Sequence, residues 1–157
     1  MPGIRNSSKA IIIQNNQLLT IKNRDPQGDF YILPGGGQNH RETLHEALHS
    51  ECQEELDIDI VIGRLQFNRE YIGLHHEFAE HDGNAHQIEF MFRCDLEEGH
   101  IPTNGPLLDT YQIGISWLPL AQLEQYRLYP AVLIELLKNA SINEINPATP
   151  IYLGDVN

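Results

Sequence analysis

Hydrophobic positions along this chain follow two periods. The runs Lys9 to Gln14 (KAIIIQ) and Leu18 to Lys22 (LLTIK) are short and apolar, and they predict paired strands. Asn15-Asn16 between them suits a hairpin turn. Asn23 to Asp29, carrying Pro26 and Gly28, predicts a loop, and Phe30 to Leu33 a short strand running into Pro34. Further on, Ile58, Ile60, Ile62, Leu65, Phe67 and Tyr71 predict strand, with Gly63 as a bulge or turn between two segments. His86 to Cys94 alternates, with His86, Ile88, Phe90 and Phe92 on one face and Gln87, Glu89, Met91 and Arg93 on the other. Tyr111 to Leu118 predicts another strand. Pro119 to Gln125 and Pro130 to Asn139 predict short helices, the first with proline in its opening turn. Residues 97–109 predict a loop. The tail from Ser141 has no strong period and is expected to pack through Ile151, Tyr152 and Leu153.

The helical period is strongest from Thr43 to Leu56. Pro34-Gly35-Gly36-Gly37 precedes it as a breaker run. Thr43 and Glu46 have the spacing of a capping box. Leu44, Ala47, Leu48, Cys52 and Leu56 then recur as one apolar stripe. At about 100° per residue, Glu55 projects into that stripe, Glu51 lies beside it and Glu54 flanks it, while Glu46, His49 and Gln53 point away. A solvated charge run would place its carboxylates opposite the stripe. Carboxylates this close resist ionising unless a cation joins them, and clustered oxygens suit a hard divalent ion such as Mg²⁺. The plainer alternative is an acidic amphipathic helix after a flexible turn.

The stretch resembles the Nudix box, the signature of the MutT-like Nudix hydrolases. Gly36, Glu42, Glu51, Glu54, Glu55 and Ile58 match the pattern, and Cys52 stands at its small apolar position. Ser50 replaces the family arginine and Asp57 the family glycine. The resemblance implies a Nudix-type α/β/α sandwich on a mixed β-sheet, with residues 1–157 as a single domain. It also implies metal-dependent hydrolysis of a nucleoside diphosphate linked to another group X, with Mg²⁺ or Mn²⁺ as the metal. Carried over, Glu51, Glu54 and Glu55 are the catalytic and metal-binding carboxylates, the Gly36 carbonyl is a further ligand, and Glu51 orients or deprotonates water. Glu42 supports the loop. The family arginine orients the neighbouring glutamate; Ser50 cannot offset charge, and Arg41, Arg64 and Arg69 are the cations that could stand in. A Nudix-fold domain that binds a nucleotide but hydrolyses it poorly is the alternative function.

Charge and cysteine content narrow the partners. A formal net charge of −12 argues against sequence-independent nucleic-acid binding and requires a metal or local basic patch for an anionic substrate. The expected partner is a nucleotide-type small molecule, with no nucleic acid and no membrane; a homodimer is compatible with the chain. Cys52 and Cys94 read as core thiols. With no signal-like segment or membrane-length apolar run, the expected location is cytoplasmic.

Residues 74–85, with His75, His76 and His81 and with His86 just beyond, read as a solvated loop, or else one beside the substrate; a zinc site is the further alternative, although HEFAEH places its second histidine one residue late for H-E-x-x-H. Outside the box, Glu77, Glu80, Glu89, Glu97 and Glu98 are candidates for an assisting carboxylate. Phe30, Tyr31 and Tyr71 are candidates for stacking on a base.

Overall fold

A computed structural model describes residues 3–105, 111–140 and 145–157. The end of the loop predicted over 97–109 and the start of the tail lie outside the described residues. Two strands open the chain, β1 (Arg5–Gln14) and β2 (Gln17–Asp25). Asn15 and Asn16 join them with φ of 50° and 58°, the left-handed pair that a two-residue hairpin requires. β3 (Gly28–Ile32) pairs back on β2, so the loop predicted over 23–29 shrinks to the turn at Pro26-Gln27. The strands reach further because Asn23 and Arg24 continue the ladder to Phe30 and Asp29.

The glycine run departs from its reading as a plain breaker. Gly35–Gly37 form a short strand, β4, antiparallel to Ser7–Lys9 of β1. Glycine is needed there because the backbones approach closely. Gly35 sits at φ +133°, and a Cβ on it would collide with the Ser8 carbonyl oxygen.

Helix α1 (Leu44–Leu56) starts with both halves of its capping box. The Glu46 amide donates to Thr43 Oγ1 at 3.1 Å, and the Thr43 amide donates to Glu46 Oε2 at 2.8 Å. Asp57 ends it in left-handed geometry, φ 52° and ψ 44°. β5 (Ile60–Ile72) is one long strand whose register shifts around Gly63 and Leu65, as a bulge demands. A 3₁₀ turn and helix α2 (Ala79–Asp82) occupy the predicted histidine loop. β6 (His86–Leu96) and β7 (Gln112–Pro119) follow, then a 3₁₀ helix over Leu120–Gln125. β8 (Leu128–Tyr129), α3 (Val132–Leu137) and β9 (Tyr152–Asp155) complete the described elements.

The strands run in the order β8-β3-β2-β1-β6-β5-β9, with β4 added to β1 and β7 to β2. β1 pairs with β6, β3 with β8 and β5 with β9 in parallel; the other pairs are antiparallel, so the sheet is mixed. β1 meets β2 only near their hairpin, at Ile13–Leu18 and Gln14–Gln17. Beyond that point the two halves of the sheet part.

Both faces are covered, which is why β1 reads as a continuous apolar run. On one face Leu48, Cys52 and Leu56 of α1 pack on Ala10, Ile12, Leu19 and Ile21. On the other, Ile11, Ile13 and Met91 meet Leu120 and Leu123 of the 3₁₀ helix and Leu133 and Leu137 of α3. The result is an α/β/α sandwich on a mixed, curled sheet. Cys52 and Cys94 are buried free thiols; burial, above all, pushes the Cys94 thiol up to about 12. The tail differs from expectation: Leu153 packs against the core, but Ile151 and Tyr152 stay exposed because the tail enters as an edge strand.

Candidate active site

α1 presents its carboxylates to the glycine segment. Glu55 is only 2% exposed and accepts a hydrogen bond of 3.0 Å from the Gly35 amide. A buried carboxylate needs such a donor, because desolvation otherwise drives it neutral. Glu51 lies against the α-carbon of Gly36, where a Cβ would stand 2.5 Å from its carboxyl carbon. Glu42 accepts from the Asn39 amide at 3.0 Å and holds the turn before the helix. Glu54 is placed apart. It borders a second depression of about 430 Å³ with Ser50, Asp59 and His100. Ser50 itself is exposed.

The structure assigns the proposed stand-in cations to other places. Arg69 is buried and donates Nε to Glu89 Oε2 at 2.5 Å, while Arg41 and Arg64 are exposed. Two cations not anticipated as a pair flank the glycine segment. Lys9 Nζ donates to the Gly35 carbonyl at 3.2 Å, and the Arg5 guanidinium lies where a Gly37 Cβ would go.

Beyond the glycine segment, between the diverging halves of the sheet, is a cleft in two parts. The inner part, about 230 Å³, is bordered by Arg5, Lys9, Gly35–Gly37 and Glu89. The outer part, about 680 Å³, is bordered by the rings of Phe30, Tyr71, Phe78 and Tyr129. Ile32, Arg69, Gln87 and Tyr129 border both, so the two adjoin. Phe30 therefore borders the cleft, whereas the Tyr71 ring is already stacked on His76 with the Arg69 guanidinium over it, and Tyr31 is core, edge-on to Tyr126.

Arg127 organises the outer wall. It grips Asp25 with two bonds of 2.8 and 2.7 Å, donates Nε to the Tyr129 hydroxyl at 3.0 Å and lies over the Phe30 ring. The hydrogen bond from Arg127 holds the Asp25 carboxyl below its ordinary value. Burial, and then Asp82, push the Tyr71 phenol up to about 12, so it stays a donor, bonded to Asp82 at 3.0 Å. Arg127 and Phe78 both border the outer cavity but lie 49 residues apart in the chain, so no local pattern pairs them.

Of the five candidate assisting glutamates, Glu89 alone borders this cleft, and it is buried. The histidines engage carboxylates: His75 and His76 meet Asp155 at 2.7 and 2.6 Å, and His86 meets Glu70 at 3.3 Å. His81 borders the outer cavity.

Among the described residues, Asp59, Glu97 and His100 form a group whose ligand atoms lie within 4.8 Å of one another and could hold a metal ion. His100 Nδ1 already accepts from the Asp59 amide at 3.0 Å, which puts the neutral ring's proton on Nε2 and removes its lone pair from that atom. The three box carboxylates are not drawn together that tightly. The oxygens of Glu51 and Glu55, against a glycine segment with no side chains, fit a hard divalent ion.

The model of the NUDIX domain matches residues 4–138. The chain belongs to the Nudix family. No curated protein matches it. Solved structures share its fold at low identity. The Escherichia coli ORF135 protein is 20% identical, with a TM-score of 0.61 over 93% of this Nudix chain and 95% of that one. A NUDIX hydrolase from Nitrosomonas europaea is 13% identical, with a TM-score of 0.67 over 85% of each chain. An ADP-ribose pyrophosphatase from Streptococcus suis is 18% identical, with a TM-score of 0.60 over 92% of this chain and 95% of its own. No helix among the described residues is long and apolar enough to cross a membrane.

Proposed function

We propose that this Nudix chain hydrolyses the pyrophosphate bond of a nucleoside diphosphate linked to a group X. The observation that carries the reading is the contact of Glu55 with Gly35 and of Glu51 with Gly36. These contacts set two box carboxylates against the glycine segment that also borders the cleft with Arg5 and Lys9. Glu51, Glu54 and Glu55, with the Gly36 carbonyl, would hold Mg²⁺ or Mn²⁺. Such an ion, when bound, neutralises charge on the phosphate oxygens and makes a bound water more acidic.

The chain's own residues do the rest. Arg5 and Lys9 attract the phosphates into an otherwise acidic protein. The aromatic outer cavity takes the flat ring of the nucleotide. Glu51 accepts the proton of the attacking water, whose oxygen bonds to phosphorus as the bridging P–O bond breaks. The products are a nucleoside monophosphate and phosphorylated X, or pyrophosphate from a triphosphate. The pyrophosphatase name of the Streptococcus suis neighbour is in keeping with that class.

The exposed Ser50, with no arginine in its place, favours a second reading: a domain that binds nucleotides and hydrolyses them weakly. A panel of nucleoside triphosphates, nucleotide sugars, ADP-ribose and dinucleoside polyphosphates, assayed with Mg²⁺ and with Mn²⁺, separates the two. Release of nucleoside monophosphate supports the hydrolase. Nucleotide binding without release from any of them replaces it with the binding domain.

A further inference from the structure

We propose that Glu89, fixed by Arg69 where the two parts of the cleft adjoin, reads the sugar hydroxyls of the substrate and makes the site selective for ribonucleotides over 2′-deoxyribonucleotides. This rests on the hydrolase reading above and names the substrate class within it. The two parts of the cleft differ in chemistry. Aromatic faces line the outer one, while the glycine backbone, Arg5 and Lys9 line the inner one. A nucleotide with its ring outside and its phosphates inside has its sugar at the boundary.

That boundary is formed by Ile32, Arg69, Gln87 and Tyr129, with Glu89 immediately inside it. Gln87 and Glu89 are two apart on β6 and project from the same face of the strand. Arg69 cannot serve as a free phosphate clamp. Its Nε is bonded to Glu89, its Nη1 donates to the Val156 carbonyl at 2.5 Å, and the guanidinium lies 5.1 Å over the Tyr71 ring. Its effect is to hold Glu89 in one orientation.

A carboxylate accepts at about four lone-pair sites, and the Arg69 bond occupies one Glu89 oxygen. A negatively charged acceptor repels phosphate and favours hydroxyl donors, the same use to which dinucleotide-binding folds put an acidic residue on the ribose 2′-hydroxyl. A buried ion pair is a weak means of stabilising a fold compared with apolar packing. Glu89 and Arg69 are 8% and 7% exposed and sit at the cleft wall, where a role in recognition accounts for a buried charged pair.

The test compares kcat/KM on ATP, GTP, CTP and ADP-ribose with their 2′-deoxy counterparts, in the parent and in Glu89→Gln, with thermal melting to verify folding. Calorimetric binding of ADP against dADP gives a second readout. The parent should favour the ribose form by about 10-fold or more, since a site built around a hydroxyl rejects the analogue lacking it. Glu89→Gln should lower kcat/KM more on the ribose form, bringing the ratio to about 3 or less. Equal use of both sugars by an active parent overturns the proposal and leaves the hydrolase reading intact, whether or not the variant folds. A ratio unchanged in folded Glu89→Gln also overturns it. Neither hydrolysis nor binding of any nucleotide removes the hydrolase reading, and this inference with it.

Discussion

The Glu55 carboxylate, at the end of α1, accepts a 3.0 Å hydrogen bond from the Gly35 amide, 20 residues earlier. This bond fastens the helix to the glycine segment and aims a buried negative charge at it. Glutamine can accept the same bond, so Glu55→Gln should keep the fold while removing charge. Hydrolysis should fall by at least about 10²-fold, the scale on which single charge-stabilising groups act. Glu54→Gln should behave likewise. Mg²⁺ should raise the melting temperature of the parent more than that of either variant, because a cation relieves carboxylate repulsion. Equal metal titrations in all three proteins would sink the assignment.

Gly35 and Gly36 should respond differently to alanine. At Gly36 the new Cβ meets the end of the flexible Glu51 side chain. That substitution should displace the carboxylate, abolishing most activity with a near-parental melting temperature. At Gly35 the Cβ meets the Ser8 backbone at a positive φ. That substitution should cost about 2 kcal/mol or more of stability, read by urea unfolding. The opposite ranking would mean that the glycine wall is not the site.

Ser50 is exposed in the depression it shares with Glu54. An arginine there has room, and it reaches Glu54 one helical turn away. Ser50→Arg should raise the turnover number, by up to about 10²-fold if orientation now limits it, with little change in metal affinity. Lower activity in a folded variant would show that the site does not accept the longer side chain.

Asp57 holds a left-handed backbone at φ 52°. Glycine adopts that geometry without the Cβ penalty, so Asp57→Gly should stabilise the protein by about 1 kcal/mol. Urea midpoints give the comparison; a lower midpoint would mean that the Asp57 side chain stabilises the cap.

Asp155 ties β9 to the segment after β5. Burial pushes its carboxyl up, but hydrogen bonds from His76, the Ile72 amide and His75 outweigh this and hold it below its ordinary value of 3.8. A depressed carboxyl contributes stability that is complete above the ordinary value and is lost as pH falls through the folded one. The melting temperature should therefore drop on acidification below about pH 4, and drop less steeply in Asp155→Asn. Identical acid profiles would exclude Asp155 as a contributor.

The sequence by itself determined the parts whose cause is local. Thr43 and Glu46 spell out the start of α1, because a capping box needs only neighbouring backbone. The five-residue stripe marks the buried face of α1, and Asn15-Asn16 mark the first turn, because each follows from the geometry of a few consecutive residues. Glu55 was legible for the same reason: its place in the apolar stripe turns it inward. Tertiary structure alone decided what depends on distant segments. Alternation puts Phe30 and Tyr31 on opposite faces of β3, but which face is cleft and which is core is decided only when β8 and β2 flank it. Glu89 reads as one face of an alternating strand, and only the bulged register of β5 sets Arg69 beside it. The tail has too few apolar residues to announce a strand, yet the open edge of β5 supplies hydrogen bonds that make it β9. Such pairings are fixed by which strands meet, and that choice depends on the whole sheet at once.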